Sequence, residues 1–176
     1  MCGELFRDPS DVKPVLNGTH LLVTASYGGA ALIRIADKHL VWHVYPANNP
    51  HSAELLPDGN VVTASSDGNY LKLFHLAKYR PGDPGATPFQ QYFADDAHGV
   101  VWDAKRQRLW SSGRFGIVEW KYHPDGRAPS LEQVAIHPLA DPRSQNAYQR
   151  VNGHDLYPAA GSDQLFFTTA ENTYLF

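Results

Sequence analysis

The chain has 176 residues, 43% of them hydrophobic and 19% charged, with a formal net charge of −3. That is enough chain to bury one core. With no Lys/Arg stripe the composition excludes a nucleic-acid footprint, and with no apolar run of eighteen residues it excludes a membrane-spanning helix. Thirteen prolines and fourteen glycines exclude a few long helices and point to many short elements joined by turns. Cys2 is the one cysteine, so neither a disulfide framework nor a cysteine-based metal site is available. The N-terminus, MCGELFRDPSD, lacks the apolar run of a secretory signal, which leaves the compartment open.

In chain order, Glu4 to Arg7 reads as one poor strand. A repeat follows. Leu22-Val23-Thr24-Ala25-Ser26 returns as Val61-Val62-Thr63-Ala64-Ser65, thirty-nine residues later. Each copy is preceded by a turn (Asn17-Gly18, Asp58-Gly59) and followed by another (Tyr27-Gly28-Gly29, Asp67-Gly68-Asn69). Then comes a β-rich run, Ala31 to Ile35 or Tyr70 to Phe74. Asn-Gly and Asp-Gly between apolar runs are strong hairpin signals, because tight primed turns need positive φ. The third copy runs His98 to Trp102, Arg108 to Ser112 and Ile117 to Tyr122. The fourth runs His154 to Tyr157, Gln164 to Thr169 and Thr173 to Phe176. Fourth strands fill the gaps at His39 to Tyr45, Phe89 to Ala94 and Leu131 to His137. Tyr79 to Pro88 and Ala140 to Arg150 read as polar insertions on one face.

Four antiparallel strands per repeat predict an all-β fold, a β-propeller with about four blades at residues 10–46, 50–95, 97–139 and 153–176. Since the last blade stops within its third strand, the chain is expected to be one incomplete propeller domain, part of a six- or seven-bladed ring. Open blade edges would favour self-association. A two-sheet sandwich would not explain four in-frame copies.

The repeat also places chemistry. His51, His98 and His154 each open an innermost strand, 47 and 56 residues apart, and the first copy has Ser10 or Asp11 there. Innermost strands surround the axis, so these positions should form a ring at one mouth of the channel. Two readings stand side by side. In the structural one, each histidine bonds a second-strand hydroxyl of its own blade (Thr63, Ser65, Ser111 or Thr168). In the chemical one, neutral imidazoles ligate a divalent metal (Zn, Mn or Ca) with Asp11 adding oxygen, or bind an anion or transfer protons. Sharing one ion would hold the imidazoles roughly 4–7 Å apart.

Lys13, at the frame position of Glu54, is the inward cation of the first blade. Glu54, Asp103 and Asp155 are carboxylates that could orient an imidazole, although a turn bond is preferred for Asp103. Arg114 and Arg150 are loop arginines able to hold a carboxylate or sulfate. Trp102, Trp110, Trp120 and Tyr157 are either a sugar-stacking platform or, for the most part, inter-blade core. The other six histidines share no frame position.

The phrases HSAELLPDG, HGVVWD and GHDL, with LFRDPSDVKPV, LLVTAS and LFFTT, resemble a bacterial family of WD40-like (YVTN/quinoprotein-type) propellers of unknown function. The resemblance covers nearly the whole chain and implies the propeller fold, in members longer at both ends, without an assigned activity. A looser similarity, confined to a histidine-lined mouth, is to propeller-fold polysaccharide lyases. Where those of the ulvan type carry a second catalytic histidine, this chain has Asp67-Gly68-Asn69-Tyr70-Leu71-Lys72.

The functional expectation is a channel-mouth site of His51, His98, His154, Asp11 and Lys13. It would take a small or carbohydrate-like anionic ligand, directly or through a divalent metal, with no nucleic acid or membrane involved. The alternatives are a non-catalytic scaffold for protein partners and a lyase-type enzyme.

Overall fold

In the computed structural model the described residues are 2–139, 151–169 and 171–176. Fifteen strands among them form four sheets, each antiparallel and each ordered as the chain runs. The first contains β1 (Pro9–Val15), β2 (His20–Ala25), β3 (Gly29–Arg34) and β4 (His39–Val44). The second contains β5 (Pro50–Leu55), β6 (Val61–Ser65), β7 (Tyr70–Phe74) and β8 (Phe89–Phe93). In the third are β9 (Val100–Asp103), β10 (Arg108–Gly113), β11 (Gly116–His123) and β12 (Ser130–Pro138). The last has three described strands, β13 (Gly153–Pro158), β14 (Leu165–Thr169) and β15 (Thr173–Leu175). Every sheet is a meander in which sequential strands pair, the simplest antiparallel connection. The innermost strands touch in succession, β1 to β5, β5 to β9 and β9 to β13. This is a β-propeller.

The core lies between the blades. Leu22, Leu32, Trp42 and Val44 of the first blade pack on Ala53, Val61 and Phe74 of the second. Val62, Leu71 and Leu73, from the opposite face of the second blade, meet Val100, Leu109, Trp120 and Tyr122 of the third. Trp110 and Ile117 then meet Leu156, Leu165 and Phe167 of the fourth. A middle blade is covered on both faces, so its strands read as continuous hydrophobic runs. In β6 and β7 every residue is buried. On the outer blades one face stays open among the described residues, leaving Val12, Ile35 and Leu40 at one end and Tyr157, Phe166 and Leu175 at the other exposed. Trp120 is core, its Nε1–H donating to Ser111 Oγ at 2.9 Å, and Trp110 is core against Phe176, so a sugar platform of all four aromatics does not form.

Two sequence expectations need correction or restriction. Glu4 to Arg7 is not a strand: Cys2–Leu5 is one helical turn. Asp8, at φ 53°, then turns the chain into β1, and the backbone of Leu5 and the ring of Phe6 come close over Gly29. The insertion Ala140 to Arg150, and Arg150 with it, lies outside the described residues. No helix among the described residues is long and apolar enough to cross a membrane.

Candidate functional site

The pairing register explains how the histidines reach the axis. In β5, Pro50 pairs with Ser65 and Ser52 with Ala64, so His51 is the extra residue of a bulge. In β1 the register skips Ser10, and in β13 it shifts between Gly153 and Leu156, freeing His154 and Asp155. A bulge releases one residue from the ladder and re-aims its side chain. His98 enters β9 through a similar irregularity, with the Gly99 N–H donating to Ser112 Oγ at 2.6 Å. Register thus decides between the two first-blade candidates. Ser10 is the counterpart of His51, and its hydroxyl is spent on the Pro50 carbonyl at 2.6 Å.

The three imidazoles come from three blades and meet. Ring centroids stand 4.3 Å apart for His51 and His98, 4.8 Å for His98 and His154, and 6.2 Å for His51 and His154. None bonds the hydroxyls of Thr63, Ser65, Ser111 or Thr168 among the described residues. Ser111 accepts from Trp120 instead, and Thr168 Oγ1 accepts the Asp155 N–H. His98 is buried, with Nδ1 2.8 Å from the backbone oxygen of Asp96. A carbonyl only accepts, so Nδ1 carries a proton, and the lone pair of the neutral form lies on Nε2. Asp96 is itself held by Asn69 of the second blade, whose side-chain oxygen accepts the Asp96 N–H at 2.8 Å. Burial drives the His51 pKa down to about 4, with His98 and His154 adding to the fall while Asp67 and Asp96 oppose it. His51 is therefore a neutral imidazole at pH 7.

Beside this ring lies a buried ionic knot. The Lys13 ammonium donates to Ser52 Oγ (3.0 Å), to Glu54 Oε2 (3.3 Å) and to the Val100 carbonyl, joining three blades. Asp11 Oδ2 stands 3.6 Å from it and accepts the Ser52 hydroxyl at 2.8 Å. Burial raises the Glu54 pKa, against the pull of Lys13, and that of Asp155, where Asp11 adds to the rise. Lys13 and Asp11 are thus a paired unit. The other singled-out groups are used locally. Asp103 accepts the Lys105 and Arg106 N–H groups, closing its turn, and Arg114 Nε grips Asp95 at 2.9 Å. Glu54 serves Lys13 rather than an imidazole. Asn69 and Asp96 are the residues that sequence reasoning passed over; the only trace was that Asp96 stands two residues before His98.

Gly99 fixes how closely the blades approach. A Cβ there would lie 2.6 Å from the Leu156 nitrogen and 2.8 Å from its Cβ, so any side chain would push the fourth blade, and His154 with it, away from His98.

Residues 2–176 match the model of DUF6528, a family of unknown function. The chain belongs to that family. No curated protein matches it. Among solved structures, hydrazine synthase of Kuenenia stuttgartiensis is similar over 97% of this chain and 46% of its own, with TM-score 0.68 and 10% identity. The β-propeller domain of Cps50 (Swd1) from Myceliophteria thermophila is similar over 95% and 52%, with TM-score 0.55 and 14% identity. Catalytically inactive virginiamycin B lyase from Staphylococcus aureus, a histidine-to-alanine form with quinupristin, is similar over 96% and 54%, with TM-score 0.57 and 13% identity. At such identities the likeness is one of fold. The DUF6528 chain spans about half the length of each of these three propellers.

Proposed function

We propose that the channel mouth binds a small anionic, carbohydrate-like ligand through a divalent metal ion held by His51, His98 and His154. The meeting of three imidazoles from three blades carries this reading. With Zn–N near 2 Å, rings around one ion have centroids about 5 Å apart, a spacing that the observed 4.3, 4.8 and 6.2 Å bracket. His98 has the arrangement usual for a metal-bound imidazole, one nitrogen donating to a backbone carbonyl and the other bearing a lone pair. His51 and His154 make no hydrogen bond among the described residues. Asp67 and Asp96 stand near enough to act on His51, and an ion held there would in turn hold an anionic ligand.

Completing the set takes rotation of the rings, since among the described residues no three His, Cys, Asp or Glu are already arranged to hold an ion. Side-chain rotation of that order commonly accompanies binding. Zinc suits an imidazole set better than calcium, which prefers oxygen, and the Asp11 oxygen is engaged by Ser52. The scaffold alternative called for bonds from these histidines to hydroxyls of their own blades, and His51, His98 and His154 make none among the described residues. Nothing in the geometry favours the lyase alternative. The same reading takes the chain as part of a six- or seven-bladed ring, supported by its span of the longer propellers and by the exposed apolar faces of its first and last blades.

Calorimetric titration with zinc tests the proposal. One ion per chain is expected, with affinity falling at least about 100-fold in His98→Ala. Zinc affinity unchanged in that variant, or absent from a folded wild type, would overturn it.

A further inference from the structure

The far end of the inner strands, opposite the histidines, carries a second constellation. A cleft of about 240 Å³ opens there between the turns of the second and third blades, walled by Trp102 and Tyr122 and flanked by Pro57, Asp58, Gln107 and Pro124. The two aromatic rings stand nearly perpendicular, at 84° with centroids 6.2 Å apart, and so make two sides of a corner. Asp58 lies beside them. Its Oδ2 accepts the Tyr122 hydroxyl at 2.6 Å and the Asn60 side-chain amide at 2.9 Å, and its Oδ1 accepts the Asn60 N–H at 3.2 Å. All these donors are neutral. No Lys, Arg or His pairs with Asp58 among the described residues. Burial and the Asp58 charge both push the Tyr122 pKa up, so the phenol stays a neutral donor. Trp102 also keeps its Nε1–H buried with no acceptor.

An uncompensated carboxylate beside two aromatic rings recognises a cation. The hydrogen bonding narrows which kind. A primary ammonium or a guanidinium brings several N–H donors that want lone pairs, and those of Asp58 are largely spent on Tyr122 and Asn60. A quaternary ammonium brings charge and methyl groups but no donors. It needs only the field of the carboxylate, the negative faces of the rings and the apolar proline edges.

We propose that this cleft binds the quaternary ammonium group of a choline-like small molecule. The site stands apart from the histidine mouth and is independent of metal there.

The test compares choline with 3,3-dimethylbutan-1-ol, its neutral isostere, by following the indole N–H resonances of the full chain. Choline is expected to shift the Trp102 resonance at millimolar concentration. The isostere for the wild type, and choline for Asp58→Asn, are each expected to bind roughly 3- to 30-fold more weakly. Asp58→Asn removes the charge and keeps one of the two accepting oxygens, so a thermal melt checks that it folds. His98→Ala should leave choline binding unchanged. Equal binding of the isostere, unchanged affinity in Asp58→Asn, or no Trp102 shift up to about 50 mM choline would overturn the proposal.

Discussion

Lys13→Met removes the cation from the buried knot while keeping most of the side-chain volume. Lys13 and Glu54 expose only 7% and 17% of their side chains, so the loss leaves a carboxylate in a poorly hydrated place. Three hydrogen bonds go with it, to Ser52, Glu54 and Val100. Breaking one side of a buried ion pair costs about 3–5 kcal/mol, more than a surface pair is worth. The cost should depend on pH. Burial raises the folded pKa of Glu54 above its unfolded value, so folding tightens proton binding. The stability from that proton is complete below the unfolded pKa and is lost as pH rises through the folded one. A protonated Glu54 needs no ammonium beside it. Urea unfolding at pH 5 and pH 8 should therefore show a smaller cost of Lys13→Met at the lower pH, by about 1 kcal/mol or more. Glu54→Gln in the same background should flatten that difference. A cost below about 1 kcal/mol at pH 8, or one that does not change with pH, would refute the reasoning.

Asn69→Ala should leave the fold intact but loosen Asp96, so that His98 populates the Nε2–H tautomer. Long-range 15N spectra of the imidazoles read this directly, and Asn69→Asp, which keeps an acceptor for the Asp96 N–H, should restore the Nδ1–H form. Gly99→Ala should cost about 1–3 kcal/mol in urea unfolding, because the added carbon strikes the Leu156 backbone. Thr63→Val should be neutral or stabilise by about 1 kcal/mol on thermal melting, since the Thr63 hydroxyl is buried with no partner.

Much of this architecture could be read in the residues because a propeller repeats. Turn pairs such as Asp58-Gly59, followed by β-branched runs, mark each hairpin. The fourth strands expected from the gaps stand within one or two residues of their observed bounds at β4, β8 and β12. The frame match of Lys13 with Glu54 is likewise present in the strands, where each stands three positions after the bulged residue of its blade, Ser10 or His51. What the sequence concealed depends on geometry that repeats do not encode. A bulge shifts one residue without leaving a turn signature, so Ser10 and Asp11 were indistinguishable until the pairing was known. Asn69 acts on His98 across a blade boundary through the backbone of Asp96, and no spacing rule reports such a contact. Charges near the axis also pair in ways that sequence distance hides, as Lys13 does with residues of three blades.

The central claim is that His51, His98 and His154 share one ion. Zinc titration followed by long-range 15N spectra of the histidine side chains addresses it most directly. The account predicts that the resonances of these three move together and saturate at one equivalent, while His20, His39, His43, His75, His123 and His137 stay in place. Movement centred on the surface histidines His123 and His137, or three independent titrations at the mouth, would contradict it.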